Sequence, residues 1–407
     1  NVMLRSVLSS LLAALWLMAA PAPSVAAGRP LTVLVSIDAF RADYLDRGVS
    51  PVLSKLAGEG VRAQMRPSFP SKTFLNHYTL VTGLRPDETG IVANNMRDAA
   101  KPGVTFSMSN RDAVKDGDWW NEAEPIWITA ERAGIITAPI FWPGSEATIN
   151  GMKPHYSAAF DMALPSDKRV EADLALLDEP PAARPAFMTL YFDTVDTAGH
   201  KYGPDSKEVN AAVADVDAVI GRLLDGLKQR GVVANVIVVS DHGMAATSED
   251  RRIFIDDLLP KDAYKSLDLG PLGTIFPAPG REAEVEKVLT ARRPHLQCWP
   301  KAKVPRRLHY GKNPRVAPIV CMPQVGWSLT THDYHPKDGA AKGEHGYDNF
   351  TPEMRAIFIA AGPAFRGGVR LKTFDNVDVY PLLARLIGVT PRRNDGQLSD
   401  LRAALRP

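Results

Sequence analysis

The sequence predicts an α/β protein: a mostly parallel sheet covered by helices on both faces, with a smaller inserted α+β lobe. Three observations carry that expectation. Short, β-branched, nearly continuous apolar runs recur along the chain, helical patterns fill the intervals between them, and metal-competent side chains stand directly after several of the runs. Strands that alternate with helices build parallel sheets with both faces covered, so each strand reads as an unbroken apolar stretch.

The runs are Leu31–Ile37, Ile135–Trp142, Phe187–Phe192, Val236–Val239 and Ile357–Ala361. Between them the clearest helix spans Ser206–Gln229, where Val209, Val213, Val216, Ile220, Leu223 and Leu227 recur at helical spacing and Gly231 supplies a stop. Tyr380–Ile387 repeats the pattern near the end of the chain. Residues 255–350, rich in Pro, Lys and Arg, are expected to form the inserted lobe, packed on the main sheet. A second loop-rich insert covers about 95–125 and contains Trp119 and Trp120.

Composition bounds the function. The chain has 407 residues, 45% hydrophobic and 23% charged, as in soluble globular domains. A net charge of +2 gives no reason to expect binding to a nucleic-acid duplex. Arg5, the apolar stretch 11–18 and the small residues Ser24–Ala27 read as a signal peptide over residues 1–27, leaving 28–407 as the catalytic domain. The apolar stretch is too short for a membrane span, so no stable membrane anchor is expected. Export to the periplasm or beyond follows, and an oxidising compartment permits Cys298 and Cys321 to pair.

In open α/β sheets ligands bind beyond the carboxyl ends of the strands. Asp38 follows the first run, Asp193 and Asp196 follow the third, and Asp241 with His242 follows the fourth. One Asp at a strand end is usually a helix cap, but three such ends converging on one edge favour a site. Asp196 and His200, four apart, share one face of a helical turn. His345 lies between glycines in Gly343–Gly346, although by residue type alone His332 or His335 serves equally. Thr73 falls near the start of a helix that runs to about Thr82, where free N–H groups and the positive dipole end suit an anion. Taken alone, Ser71 or Thr73 reads as a plain helix cap.

Five motifs in order carry a family resemblance: Ser36–Arg41, Phe69–Gly83, Asp196-x-x-x-His200-x-x-Gly203-Pro204, Ser240–Met244 and Gly343-x-His345-Gly346-Tyr347-Asp348. Together they resemble the nucleotide pyrophosphatase/phosphodiesterase family of the alkaline phosphatase superfamily. The resemblance implies an alkaline-phosphatase-like core with two zinc ions. One would be held by Asp38, Asp241, His242 and the nucleophile Thr73, the other by Asp196, His200 and His345. Asn94, helped by the Phe74 N–H, would donate to a phosphate oxygen, and the absence of a phosphate-binding arginine argues for a diester. Phe74, Tyr191 and Tyr156 would form a slot for a base, with Phe160 left to core packing. The implied reaction is hydrolysis of small-molecule nucleotides, such as ATP to AMP and pyrophosphate, through a threonyl-phosphate. Glycerophosphodiesters or choline lipids are the alternative substrates.

Overall fold

The computed structural model describes residues 29–335 and 339–407, so the signal-peptide reading lies outside the described residues. Its centre is an eight-stranded sheet. In chain order the strands that matter here are β1 (Leu31–Ile37), β2 (Val61–Arg66), β3 (Thr137–Ala138), β4 (Phe187–Phe192) and β5 (Ala234–Val239). The inserted lobe supplies β6 (Tyr264–Ser266), β7 (Gly273–Pro277), β8 (Leu296–Pro300) and β9 (Ile319–Pro323), and the chain returns to the main sheet as β10 (Ala356–Ala361).

Strands β3, β4, β1 and β5 lie side by side and parallel, β10 joins antiparallel, and β2 follows it. The sheet is therefore mostly parallel, as its apolar strands demand. Register positions the site. Ile37 is opposite Phe192 and Ser36 is opposite Val239, so the residues after β1, β4 and β5 emerge together at one edge.

Alternate residues of β1 feed two cores. Val33, Val35 and Ile37 pack with Val209, Val213, Val216, Ile220 and Leu223 of a long helix; Leu34 packs on the other face with Leu75, Leu382 and Leu383. The helices are α1 (Thr73–Thr82), α2 (Thr194–Tyr202), α3 (Lys207–Gln229) and α4 (Val379–Ile387). Ser206 caps α3 by accepting the Val209 N–H, and Gly231 turns the chain away with φ +62°. Each fully buried Val, Ile or Leu on α3 stabilises by roughly 1.5–3 kcal/mol relative to exposure.

One expected strand is much shorter than its apolar run. Ile135–Trp142 contributes only the two residues of β3. Pro139 lacks the donor that would continue the ladder, and Phe141 takes φ +58°.

The lobe strands form a separate antiparallel sheet in the order β6-β7-β9-β8, with its own core around Ile255, Ile275, Val285 and Leu289. Cys298 and Cys321 face each other across β8 and β9 and form a disulfide. The 95–125 insert is compact: Trp119 and Trp120 are fully buried. Arg315 of the lobe pins this insert, donating to Asp98 Oδ2 at 2.6 Å and to the Gly90 and Trp119 carbonyls. Among the described residues no helix is long and apolar enough to cross a membrane.

Candidate active site

Thr73 opens α1, and the structure removes the plain capping explanation for it. The N-cap is Lys72, which makes no side-chain cap hydrogen bond. Ser71 Oγ donates elsewhere, to the Tyr347 carbonyl. Asn76 holds the preceding loop, accepting the Ser68 N–H and donating to the Ser68, Pro70 and Lys72 carbonyls. The Thr73 hydroxyl is thereby left to face the sheet edge, 3.3 Å from His242 Nε2 and nearly buried.

The strand ends bring the acids and imidazoles to that hydroxyl. His242 Nε2 lies 2.9 Å from Asp241 Oδ2 and 3.4 Å from Asp38 Oδ1. Beside them, Asp196 Oδ1 is 3.4 Å from His200 Nε2 and 3.7 Å from His345 Nε2. Asp196 and His200 share one face of α2, and His242 stacks on His345 with ring centroids 3.6 Å apart. Two groups, Asp196–His200–His345 and Asp38–Asp196–His242, each place their donor atoms within 4.8 Å of one another. His332 does not join them; it is exposed, stacked on Phe254 and bonded to Asp257, and His335 is likewise exposed.

The protonation pattern is informative. Nδ1 of His200, His242 and His345 sits 2.8–2.9 Å from the carbonyl oxygens of Gly343, Gly243 and Ser71 respectively. A carbonyl only accepts, so each Nδ1 carries the proton and each Nε2 presents a lone pair. Those lone pairs face carboxylate oxygens, and Asp38 Oδ1, Asp196 Oδ1 and Asp241 Oδ2 are buried without any hydrogen-bond partner. Acceptors gathered against acceptors are unfavourable unless a cation lies between them. Oxygen and nitrogen donors with backbone-anchored imidazoles suit zinc. The donor set thus fits divalent metal.

Burial, with the Asp241 and Asp196 charges beside it, pushes the Asp38 carboxyl well above the ordinary range. Burial holds the His345 imidazole well below its ordinary value, reinforced by His242 and Lys72. His200 moves the other way, because Asp196 and Glu344 outweigh its burial. A bound cation reverses that local sign. Close backbone packing fixes the loops. A Cβ at Gly243 would collide with the Glu353 carbonyl, and one at Gly346 would come 2.6 Å from Lys72 Cε.

The Phe74 N–H donates to Asn94 Oδ1 at 3.0 Å. This orients the asparagine so that its Nδ2 is the available donor. Tyr191 is buried, its ring enclosed by His77 and Phe160 at 5.2 and 5.5 Å, and its hydroxyl donates to Asp38 Oδ2 at 2.6 Å. It supports the carboxylate rather than offering an open stacking face. Tyr156 is held at the opposite end of β4: its hydroxyl donates to the Ala183 carbonyl, four residues before β4 begins, and its N–H to Thr137. A six-residue strand spans about 20 Å, so Tyr156 is distant from Asp193 and does not line this site. Half-buried Phe160 is the aromatic that meets Tyr191. Phe74 packs against Phe106 and Trp120.

His77 is a residue the sequence reading passed over. It lies one helical turn after Thr73, its Nδ1 bonded to the Thr73 carbonyl and its Nε2 to Ser36 Oγ. Both nitrogens are engaged, so it braces the turn that carries Thr73 and has no lone pair for a cation. Its spacing of four from Thr73 was the available signal.

Comparison with known proteins gives the family and the fold. The family model described as type I phosphodiesterase / nucleotide pyrophosphatase matches residues 32–348. An uncharacterised pyrophosphatase/phosphodiesterase of Schizosaccharomyces pombe is 40% identical over 379 residues, covering 89% of this chain and 78% of that protein. Human bis(5'-adenosyl)-triphosphatase ENPP4 is 37% identical over 383 residues, covering 92% and 82%. The solved structure of murine ectonucleotide pyrophosphatase/phosphodiesterase 5, inactivated by a threonine-to-alanine substitution and in complex with AMP, superposes with a TM-score of 0.88. It is 34% identical and covers 93% of this chain and all of that one.

Proposed function

The chain belongs to the type I phosphodiesterase / nucleotide pyrophosphatase family of hydrolases, and on that premise we propose that it cleaves nucleotide phosphodiester and phosphoanhydride bonds with Thr73 as nucleophile. The observation that carries this reading is the Thr73 hydroxyl, free of any helix-capping role and set 3.3 Å from His242 Nε2 among buried, unpartnered carboxylate oxygens.

Asp38, Asp241 and His242, with Thr73, would hold one zinc ion; Asp196, His200 and His345 would hold a second. When bound, the ions supply the positive charge that lowers the pKa of the threonine hydroxyl and neutralises phosphoryl oxygens. Tyr191 and the three backbone carbonyls fix the ligand side chains before substrate arrives. Thr73 Oγ1 bonds to phosphorus as the leaving oxygen departs, and its proton is lost to solvent. Water then attacks the threonyl-phosphate, releases a nucleoside 5′-monophosphate and restores the hydroxyl. Asn94 Nδ2 donates to a non-bridging oxygen, a contact of a kind that contributes about 3 kcal/mol. An uncharged donor there matches a diester, which carries one negative charge fewer than a monoester. We assign Phe74, next to the nucleophile, and Phe160, which meets Tyr191, to flank a base, and the AMP bound by murine ectonucleotide pyrophosphatase/phosphodiesterase 5 supports a nucleotide as the ligand.

Export belongs to the same reading. It is supported by residues 1–27 as a signal peptide, by the Cys298–Cys321 disulfide and by the ectoenzyme named among the relatives.

The test is product analysis with ATP, with glycerophosphocholine in parallel. AMP plus pyrophosphate from the wild type, abolished in Thr73→Ala, is expected. ADP plus phosphate, or faster turnover of glycerophosphocholine, contradicts the proposal.

A further inference from the structure

The antiparallel sheet of the inserted lobe brings an acidic side chain, Asp268, against Asn95, next to Asn94. Asp268 lies in the loop between β6 and β7, and the loop is braced. The Asp268 N–H donates to Thr274 Oγ1, the Thr274 N–H returns to the Asp268 carbonyl, and Gly270 and Leu329 exchange both backbone hydrogen bonds. Asp268 Oδ1 accepts from Asn95 Nδ2 at 2.6 Å, and its Oδ2 is buried with no partner. Asn95 directly follows Asn94 in the chain.

Lys72 stands across from it. This residue immediately precedes Thr73, and its stem passes over Gly346, which has no Cβ to block it. Its ammonium therefore lies by the His345 loop. Burial pushes the Asp268 carboxyl up, and the Lys72 charge followed by the Asn95 amide pulls it back. Among the described residues no carboxylate forms an ion pair with Lys72, while Asp268 is held to Asn95, next to the Asn94 that the Phe74 N–H anchors beside Thr73. Tyr191 and Phe160, by contrast, adjoin Asp38. With the nucleoside toward Phe160, as proposed above, the leaving group would lie on the other side of Thr73, the side of Lys72, Asn95 and Asp268.

We propose that Asp268 is a specificity-determining residue that offsets the Lys72 charge where the leaving group departs, so that diesters whose leaving moiety carries no charge in the substrate are favoured over those that release pyrophosphate. The inference rests on the phosphodiesterase reading above. A leaving pyrophosphate brings several negative charges to that side. Lys72 attracts them and the fixed carboxylate repels them.

The experiment compares kcat/KM for ATP with that for the 4-nitrophenyl ester of thymidine 5′-monophosphate, in the metal-loaded full chain. Asp268→Asn removes the charge and retains an oxygen to accept from Asn95. The ratio of ATP to ester should rise about tenfold, as for one unit charge acting across a partly screened gap, and the rise should shrink at high ionic strength. Lys72→Met should move the ratio the other way, which keeps the idea testable if Asp268→Asn folds poorly. An unchanged ratio in both variants overturns this inference alone, provided the wild type cleaves both substrates. A wild type that cleaves neither overturns the phosphodiesterase reading and this inference with it.

Discussion

Tyr191→Phe removes one oxygen and leaves the ring in its enclosure between His77 and Phe160. The lost group is the donor that holds Asp38 Oδ2 at 2.6 Å, while Asp38 Oδ1 has no hydrogen-bond partner. A hydrogen bond to a charged, buried acceptor contributes roughly 1.5–3 kcal/mol. At about 1.4 kcal/mol per tenfold, a central figure near 2 kcal/mol corresponds to about 30-fold weaker metal binding, within the range typical when a residue orienting a metal ligand is removed. The hydroxyl is also one of the groups that restrain the upward shift of the Asp38 carboxyl. Without it Asp38 holds its proton to higher pH, and a metal ion must displace that proton. The deficit therefore grows as pH falls and shrinks as pH rises. Competition for zinc against a chromogenic chelator, on metal-free wild type and variant across pH, measures both effects. Equal affinity throughout the range, with unchanged circular dichroism, would refute the role given to the hydroxyl and weaken Asp38 as a ligand.

Stripping the metal with a chelator should lower the melting temperature, and the gap to the loaded protein should widen as pH rises. Asp38 has a raised pKa, so the metal-free protein is penalised as pH climbs through that value; a pH-independent gap would contradict this. Arg315→Ala leaves Asp98 and the Gly90 and Trp119 carbonyls without their buried cation, and should lower stability by about 3–5 kcal/mol in urea unfolding. A change below about 1 kcal/mol, the scale of a surface ion pair, would show that the 95–125 insert is not anchored there. Burial pushes the Asp378 carboxyl up to about 7, while it accepts the Gln397 N–H at 2.7 Å. Its raised pKa means that stability is fully present at low pH and falls as pH rises toward that value. Asp378→Asn, which keeps an acceptor, should match the wild type near about pH 4 and exceed it by roughly 2–4 kcal/mol near about pH 8; an equal difference at both would contradict the assignment.

The fold was legible because burial on both faces writes itself into a strand as continuous apolar residues. It was legible at β1, β4, β5 and β10, and misleading at Ile135–Trp142, where Pro139 ends the ladder after two residues. Much of the site was legible for a related reason. Strand ends in a parallel sheet share an edge, so Asp38, Asp196 and Asp241 could be placed together before any coordinates, and the four-residue spacing put His200 on the Asp196 face of α2. His345 was open by residue type and is separated from His332 only by the loop that Gly346 lets pack against Lys72.

What the sequence could not display were the partners of groups rather than their identities. The backbone carbonyls that fix three imidazole tautomers are features of no residue type. The Phe74 N–H was expected to help Asn94, and only the fold displays the means, a hydrogen bond to Asn94 Oδ1 that orients the amide. Tyr191 and Tyr156 were expected as slot walls because aromatics suit bases, but one hydroxyl is bound to Asp38 and the other to Ala183 at the far end of β4. Asp268 comes from a lobe 195 positions after Thr73, a distance over which no periodicity speaks.

The central claim is that Thr73 becomes covalently bound to the nucleotide. Rapid acid quenching of the metal-loaded enzyme with ATP, followed by peptide mass spectrometry, tests it most directly. The account predicts a nucleoside monophosphate attached to the Thr73 peptide, lost in Thr73→Ala. Full turnover with no modified Thr73 peptide at any quench time, or with the adduct on another residue, would contradict it.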